Sequence, residues 1–166
     1  HVWEGAYRTR SDALVFSGMV EVRAFSTPDT IRPYYGVDWG FSKDPLAALR
    51  CWIAQDVLYI DYEAGGVGIE LDAIPAVLDT IPGARQWPWR ADGARPETIS
   101  FLARRHGFRI MVARKWPGSV EDGIVSLRAF QRSVVHPRRV RGAAAAHSSA
   151  YRVVRATEEV PHGVED

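Results

Sequence analysis

Two apolar runs, Leu46 to Ala54 and Val57 to Ala64, stand with only Gln55-Asp56 between them, and a third, residues 32 to 38, precedes them across a turn-rich gap. Apolar runs joined by a two-residue connection read as a β-hairpin. Three consecutive strands of this kind make a sheet with an apolar face, and some later part of the chain must cover it. The next segments have that character. Gly65-Gly66-Val67-Gly68 ends the third strand, after which Leu71, Ile74, Val77 and Leu78 recur at helical spacing despite Pro75.

Beyond the turn at Pro82-Gly83, Trp87 to Ala91 reads as a short strand ending at Asp92. Pro96-Glu97 then opens a helix with Ile99, Leu102 and Ala103 on one face, and Gly107 closes it. Phe108 to Ala113 reads as a fifth strand. Ser119-Val120-Glu121-Asp122 has the pattern of a capping box, opening a helix whose Val120, Ile124 and Leu127 are expected to face the core. Val134-Val135 supply one more short strand. Further on the periodicity fades: Ala143 to Ala146 suit a helix and Tyr151 to Val154 an extended segment.

The predicted order, β-β-β-α-β-α-β-α-β, belongs to the α/β class: a three-strand antiparallel meander, then alternating helices and strands, in a mixed sheet with helices on its faces. This is the layout of the ribonuclease H-like fold. Residues 1–31 read as a linker-like N-terminal segment, 32–137 as the core and 138–166 as a divergent, shortened C-terminal segment.

The chain's 166 residues suit one domain with a core of its own, and 46% apolar and 25% charged residues are ordinary for a globular protein. No apolar run approaches the roughly 18 residues of a membrane-spanning helix. The single cysteine, Cys51, alternates with Leu49 and Ile53 as a buried thiol would. With no charged-then-apolar leader ahead of His1, a reducing cytoplasm is the expected setting. Net charge is only +1, but 14 of the 20 Asp+Glu and 9 of the 21 Lys+Arg lie in residues 1–100. An acidic part thus precedes a basic part, a distribution suited to collecting metal beside a surface that meets phosphates.

Asp38 ends the strand Tyr34-Tyr35-Gly36-Val37 and is followed by Trp39-Gly40 and, six positions on, by Asp44. In the fold just inferred, the first and fourth strands of the core are neighbours, so Asp38 and Asp92 would meet at their tips. Paired carboxylates are hard oxygen ligands suited to Mg²⁺ or Mn²⁺, which in pairs can activate water and stabilise the leaving oxygen of a phosphodiester. Each aspartate also has a structural reading: Asp38 in a turn, Asp44 in Lys43-Asp44-Pro45, Asp92 as a helix cap. Arg114 and Lys115 lie in a loop entering a helix, and Arg138 and Arg139 extend the positive charge; all four are candidate contacts to a DNA backbone. Glu121 and Asp122 suit capping. His106, His136, His147 and His162 show no zinc spacing with Cys51, and the chain has no phosphate-binding loop of the G-x-x-x-x-G-K-[ST] type.

Three blocks together carry a resemblance: Tyr35-Gly36-Val37-Asp38-Trp39-Gly40-Phe41-Ser42-Lys43-Asp44-Pro45, Ala91-Asp92-Gly93-Ala94-Arg95-Pro96-Glu97-Thr98-Ile99, and Gly118-Ser119-Val120-Glu121-Asp122-Gly123-Ile124. In this order they resemble the nuclease domain of tailed-phage terminase large subunits of the PBSX-like type, over about Val2 to Pro137. The resemblance implies a metal-dependent endonuclease that cuts double-stranded viral DNA during packaging in the bacterial cytoplasm. Asp38 and Asp92 would be its first two metal-binding acids, with Asp44 close by. It also implies a packaging ATPase domain, a small terminase subunit and a portal as partners, and Val2-Trp3-Glu4-Gly5 resembles the stretch that joins motor to nuclease. The family carries a third acid on a final helix, beyond a segment like Val164-Glu165-Asp166. Without it a two-metal site would be incomplete, and weak or absent cleavage is expected of this chain by itself. The alternatives are another ribonuclease H-like nuclease, of resolvase or integrase type, and a DNA-binding or interaction module without catalysis.

Overall fold

A computed structural model describes residues 16, 18–40 and 44–141. Its centre is one seven-stranded sheet of order β1-β7-β4-β3-β2-β5-β6, built from β1 (Val20–Val22), β2 (Tyr34–Asp38), β3 (Leu46–Ala54), β4 (Val57–Gly66), β5 (Trp89–Ala91), β6 (Ile110–Val112) and β7 (Arg132–Val135). Among the described residues three α-helices accompany it: α1 (Ile74–Asp79), entered through a 3-10 turn at Leu71–Ala73, α2 (Pro96–His106) and α3 (Ser119–Arg128). The result is the expected mixed α/β sheet.

The meander forms where the apolar runs dictate. β3 pairs antiparallel with both β2 and β4, and Gln55 and Asp56 turn between β3 and β4 with φ of 50° and 62°. Positive φ at both central residues is the hairpin geometry that matches strand twist. Inward residues Leu46, Ala48, Arg50 and Trp52 alternate with more exposed ones, and a bulge at Arg50/Cys51 shifts the register. Cys51, expected in the core, is half-buried.

One apolar cluster fills the space between sheet and helices, with Tyr35, Val37, Trp89 and Ala91 from the sheet against Ile74, Leu78, Ile99 and Leu102 from α1 and α2. Burying a side chain such as Leu102 completely contributes about 1.5–3 kcal/mol. α2 has proline in its first turn with Glu97, basic residues Arg104 and Arg105 in its last, and Gly107 at φ 70° as its left-handed stop. Each feature complements the helix ends.

Two sequence expectations fail at α3. Its N-cap is Gly118, at φ 83°, with no side-chain cap hydrogen bond, so the capping box does not form. Nor does Val120-Ile124-Leu127 face a core: no residue of α3 is buried, and Val120 and Leu127 are exposed. α3 packs closely against no other element among the described residues, and the terminal strand β6 likewise leaves its own Met111 and Val112 uncovered.

β1 falls within the stretch expected to be linker-like. It pairs parallel with β7, Val20 opposite Ser133, and the Met19 carbonyl accepts a 2.7 Å hydrogen bond from the Ser133 amide. The expected connection Val2 to Gly5, the segments 143–146 and 151–154, and Glu165 and Asp166 lie outside the described residues.

Candidate metal and phosphate site

β2 pairs parallel with β5, and β5 parallel with β6. Because among the described strands only β3 runs against its neighbours, the C-terminal ends of β2, β5 and β6 open together at one end of the sheet. The last paired residues of β2 and β5, Val37 and Ala91, are both buried. The ladder continues one step, since the Asp92 amide donates to the Val37 carbonyl at 3.1 Å. Asp38 and Asp92 are therefore the first residues past that pairing, on strands roughly 4.8 Å apart. Asp38 is exposed and the Asp92 side chain 20% exposed.

Trp39 fixes this end of the sheet. Its ring is buried, and its Nε1 donates to the Asp92 carbonyl at 2.8 Å, tying the exit of β2 to the exit of β5. Sequence reasoning assigns Trp39 no role, although a buried tryptophan needs a partner for its N–H and the neighbouring strand exit supplies one. Gly40 is held as tightly: a Cβ there would lie 2.1 Å from the Asp44 carbonyl oxygen. Only glycine fits so close an approach, which sets the Asp44 backbone against the turn that follows Asp38. Asp44 itself is exposed.

The third contributor is Lys115. Beyond β6 the Ala113 amide donates to the Ala91 carbonyl at 2.8 Å, carrying the chain along the Asp92 exit, and the Lys115 ammonium donates to Asp92 Oδ1. Asp92 Oδ2 accepts from the Ala94 amide at 3.2 Å. The Lys115 bond, then the backbone amides of Ala94 and Gly93, hold the Asp92 carboxyl below the usual carboxylate range. Lys115 is raised above its ordinary value, chiefly by Asp92 and to a smaller degree by the Asp38 charge. One ammonium thus feels both carboxylates.

The remaining basic candidates separate. Arg114 is exposed beside Lys115. Arg138 is exposed, while the Arg139 guanidinium lies 5.0 Å over the Tyr62 ring. Both of their amides approach His136 Nδ1 at 3.3 Å. Burial, then the Arg139 charge, lower the His136 pKa, so the neutral ring can accept there. Arg139 lines a cavity of about 530 Å³ together with Arg50, Tyr62 and Trp87, and neither Asp38 nor Asp92 lines that cavity. Asp122, read as a capping residue, instead accepts a 2.7 Å hydrogen bond from Trp116 Nε1.

The two strand-tip carboxylates are hard oxygen donors, and a cationic group already rests on one of them, so the position suits a cation. Among the described residues no group of three or more His, Cys, Asp or Glu side chains is arranged to hold a metal ion.

No family model and no curated protein sequence matches the chain. Solved structures do. The large-terminase nuclease domain of bacteriophage SPP1, with bound Mn, superposes with a TM-score of 0.67 at 24% identity, covering 76% of each chain. The nuclease domain of the P22 large terminase gives 0.55 at 21%, over 72% of this chain and 68% of that one. The large terminase of a thermophilic bacteriophage, in complex with ATP-gamma-S, gives 0.58 at 13%, over 84% of this chain and 36% of that one. This chain has the ribonuclease H-like α/β fold found in the nuclease domains of phage large terminases.

Proposed function

We propose that this chain is the nuclease domain of a phage or prophage DNA-packaging terminase large subunit, hydrolysing phosphodiester bonds of double-stranded DNA with Mg²⁺ or Mn²⁺. The observation that carries the reading is the adjacency of Asp38 and Asp92 at the tips of two parallel strands, in a fold whose SPP1 counterpart holds Mn. Asp38 and Asp92 would hold the ion, with the Asp44 turn alongside; a second ion calls for the further acid that the resemblance implies. Bound there, such an ion would supply an activated water for attack on the phosphodiester, and stabilisation of the leaving oxygen would fall to the second ion.

The chain's own groups supply the rest. Trp39 locks the two strand exits together, so the carboxylates sit on a rigid base. Arg114 and Lys115 stand on the exit of the next strand and would hold the DNA backbone beside the acids without reading its sequence. Arg138 extends that contact. Arg139 would have to leave the Tyr62 ring to join it. The partners in this reading are double-stranded DNA and, in the assembled packaging machine, an ATPase domain, a small subunit and a portal. No helix among the described residues is long and apolar enough to cross a membrane.

The test is nicking of supercoiled plasmid by the purified chain with Mn²⁺, scored at single turnover alongside Mn²⁺ binding by calorimetry. Slow nicking is expected, lost on Asp38→Ala and on Asp92→Ala together with saturable Mn²⁺ binding. Robust nicking that survives Asp38→Ala contradicts the proposal.

A further inference from the structure

Lys115 has a geometry that phosphate binding alone does not explain. Its ammonium is spent on Asp92 Oδ1, while Oδ2 is engaged by the Ala94 amide, so both oxygens of this carboxylate have partners inside the chain. The lysine side chain is nonetheless 67% exposed. With so much of the side chain in solvent, the contact that places its ammonium is the ion pair with Asp92.

A divalent ion that takes Asp92 Oδ1 must displace this ammonium. Two cations cannot share one carboxylate oxygen at close range without mutual repulsion, and giving up an attraction between two unit charges about 4 Å apart, as the ion pair of Lys115 and Asp92 is, lowers the entering ion's affinity roughly fivefold even in water. The displaced ammonium then needs an anion. Lys115 stands on an exposed strand exit next to Arg114, where a phosphodiester oxygen could meet it.

We propose that Lys115 is a tethered counter-cation of the acid pair: it occupies Asp92 in the metal-free protein, weakens divalent-metal binding, and is handed to a DNA phosphate when metal enters. The inference rests on the metal-site reading of Asp38 and Asp92 and adds a coupling to it. Metal binding frees Lys115 for DNA, and DNA binding clears Asp92 for metal. By linkage, each tightens the other by the same factor.

Mn²⁺ calorimetry on wild type, Lys115→Met, Lys115→Arg and Asp92→Asn, without DNA, tests the first half. Lys115→Met is expected to bind Mn²⁺ about fivefold more tightly than wild type, with Lys115→Arg close to wild type and Asp92→Asn without saturable binding. Fluorescence anisotropy of a labelled DNA duplex, with and without the non-hydrolysing ion Ca²⁺, tests the second. Ca²⁺ should tighten DNA binding in wild type and do so less in Lys115→Met. Equal or weaker Mn²⁺ binding by Lys115→Met overturns the counter-cation role while leaving the metal site standing. Mn²⁺ binding that persists in Asp92→Asn, or is absent throughout, overturns the metal-site reading and the proposal with it.

Discussion

Two oppositely charged pairs sit on the same sheet and behave as different objects. Arg50 and Asp61 face each other across the β3–β4 hairpin with side chains 11% and 0% exposed. Two guanidinium N–H groups reach Asp61 at 3.0 and 2.5 Å, Thr27 Oγ1 donates to it at 2.7 Å, and Arg50 also donates to the Pro82 carbonyl, which accepts the Tyr35 hydroxyl as well. The Tyr62 ring lies 4.7 Å from the guanidinium. Lys115 and Asp92, 67% and 20% exposed, share one ammonium contact. A buried charge pair is tolerated only when its polar atoms are satisfied, and it then becomes immovable. An exposed pair costs little to open, so it can exchange partners. The first pair belongs to the scaffold, and the second lies at the proposed metal site.

Breaking the scaffold pair should produce the largest effect. Asp61→Ala leaves the Arg50 charge buried without its carboxylate and is expected to cost about 3–5 kcal/mol in urea unfolding. A loss below about 1 kcal/mol would erase the distinction between the two pairs. Lys115→Met is the matching change at the proposed metal site, and its cost in the same experiment should not exceed about 1 kcal/mol.

Acid pH sharpens the contrast further. The Asp92 pKa is lowered in the folded chain, so its contribution to stability is complete above the ordinary carboxylate value of about 4 and is lost as pH falls through the lowered folded value. A carboxyl NMR titration should give Asp92 a midpoint below that ordinary value, moving upward in Lys115→Met. An unmoved midpoint would show that the ammonium contact does not form in solution.

Cys51 reports on the scaffold side. Burial, reinforced by the Asp61 charge, pushes its thiol up to about 11. Thiolate is then scarce near neutral pH, and native protein should react slowly with a disulfide reagent, accelerating on unfolding. The smallest effect is expected on α3: Val125 is 68% exposed, and Val125→Ser should change stability by no more than about 0.5 kcal/mol.

The legible parts of the chain are those whose signals are local. The hairpin at Gln55-Asp56 announces itself through the length of the gap and the apolar runs on either side. Pro96 and Gly107 mark the ends of α2 because proline and glycine restrict or free the backbone at their own positions. The neighbouring strands bearing Asp38 and Asp92 follow from topology, since the meander leaves one edge of β2 for β5.

What stays hidden depends on partners distant in sequence. β1 has only three residues, and its pairing with β7 spans most of the chain, so no window of sequence contains the reason for it. The α3 periodicity is genuine, but burial of its apolar side also needs an element packed against it, and none among the described residues is. Arg50 and Asp61 leave a trace that can be followed: opposite charges on the two strands of one predicted hairpin, each flanked by apolar residues. Lys115 leaves none, because its reach to Asp92 is set by the β5–β6 register.

The most direct measurement is a crystal of the chain soaked in Mn²⁺ and studied by anomalous diffraction. The expected result is a manganese peak between the Asp38 and Asp92 carboxylates, with the Lys115 ammonium displaced from Asp92. A well-ordered site without manganese there, Lys115 still on Asp92 and the metal bound elsewhere, would contradict the assignment of these two aspartates as one metal centre.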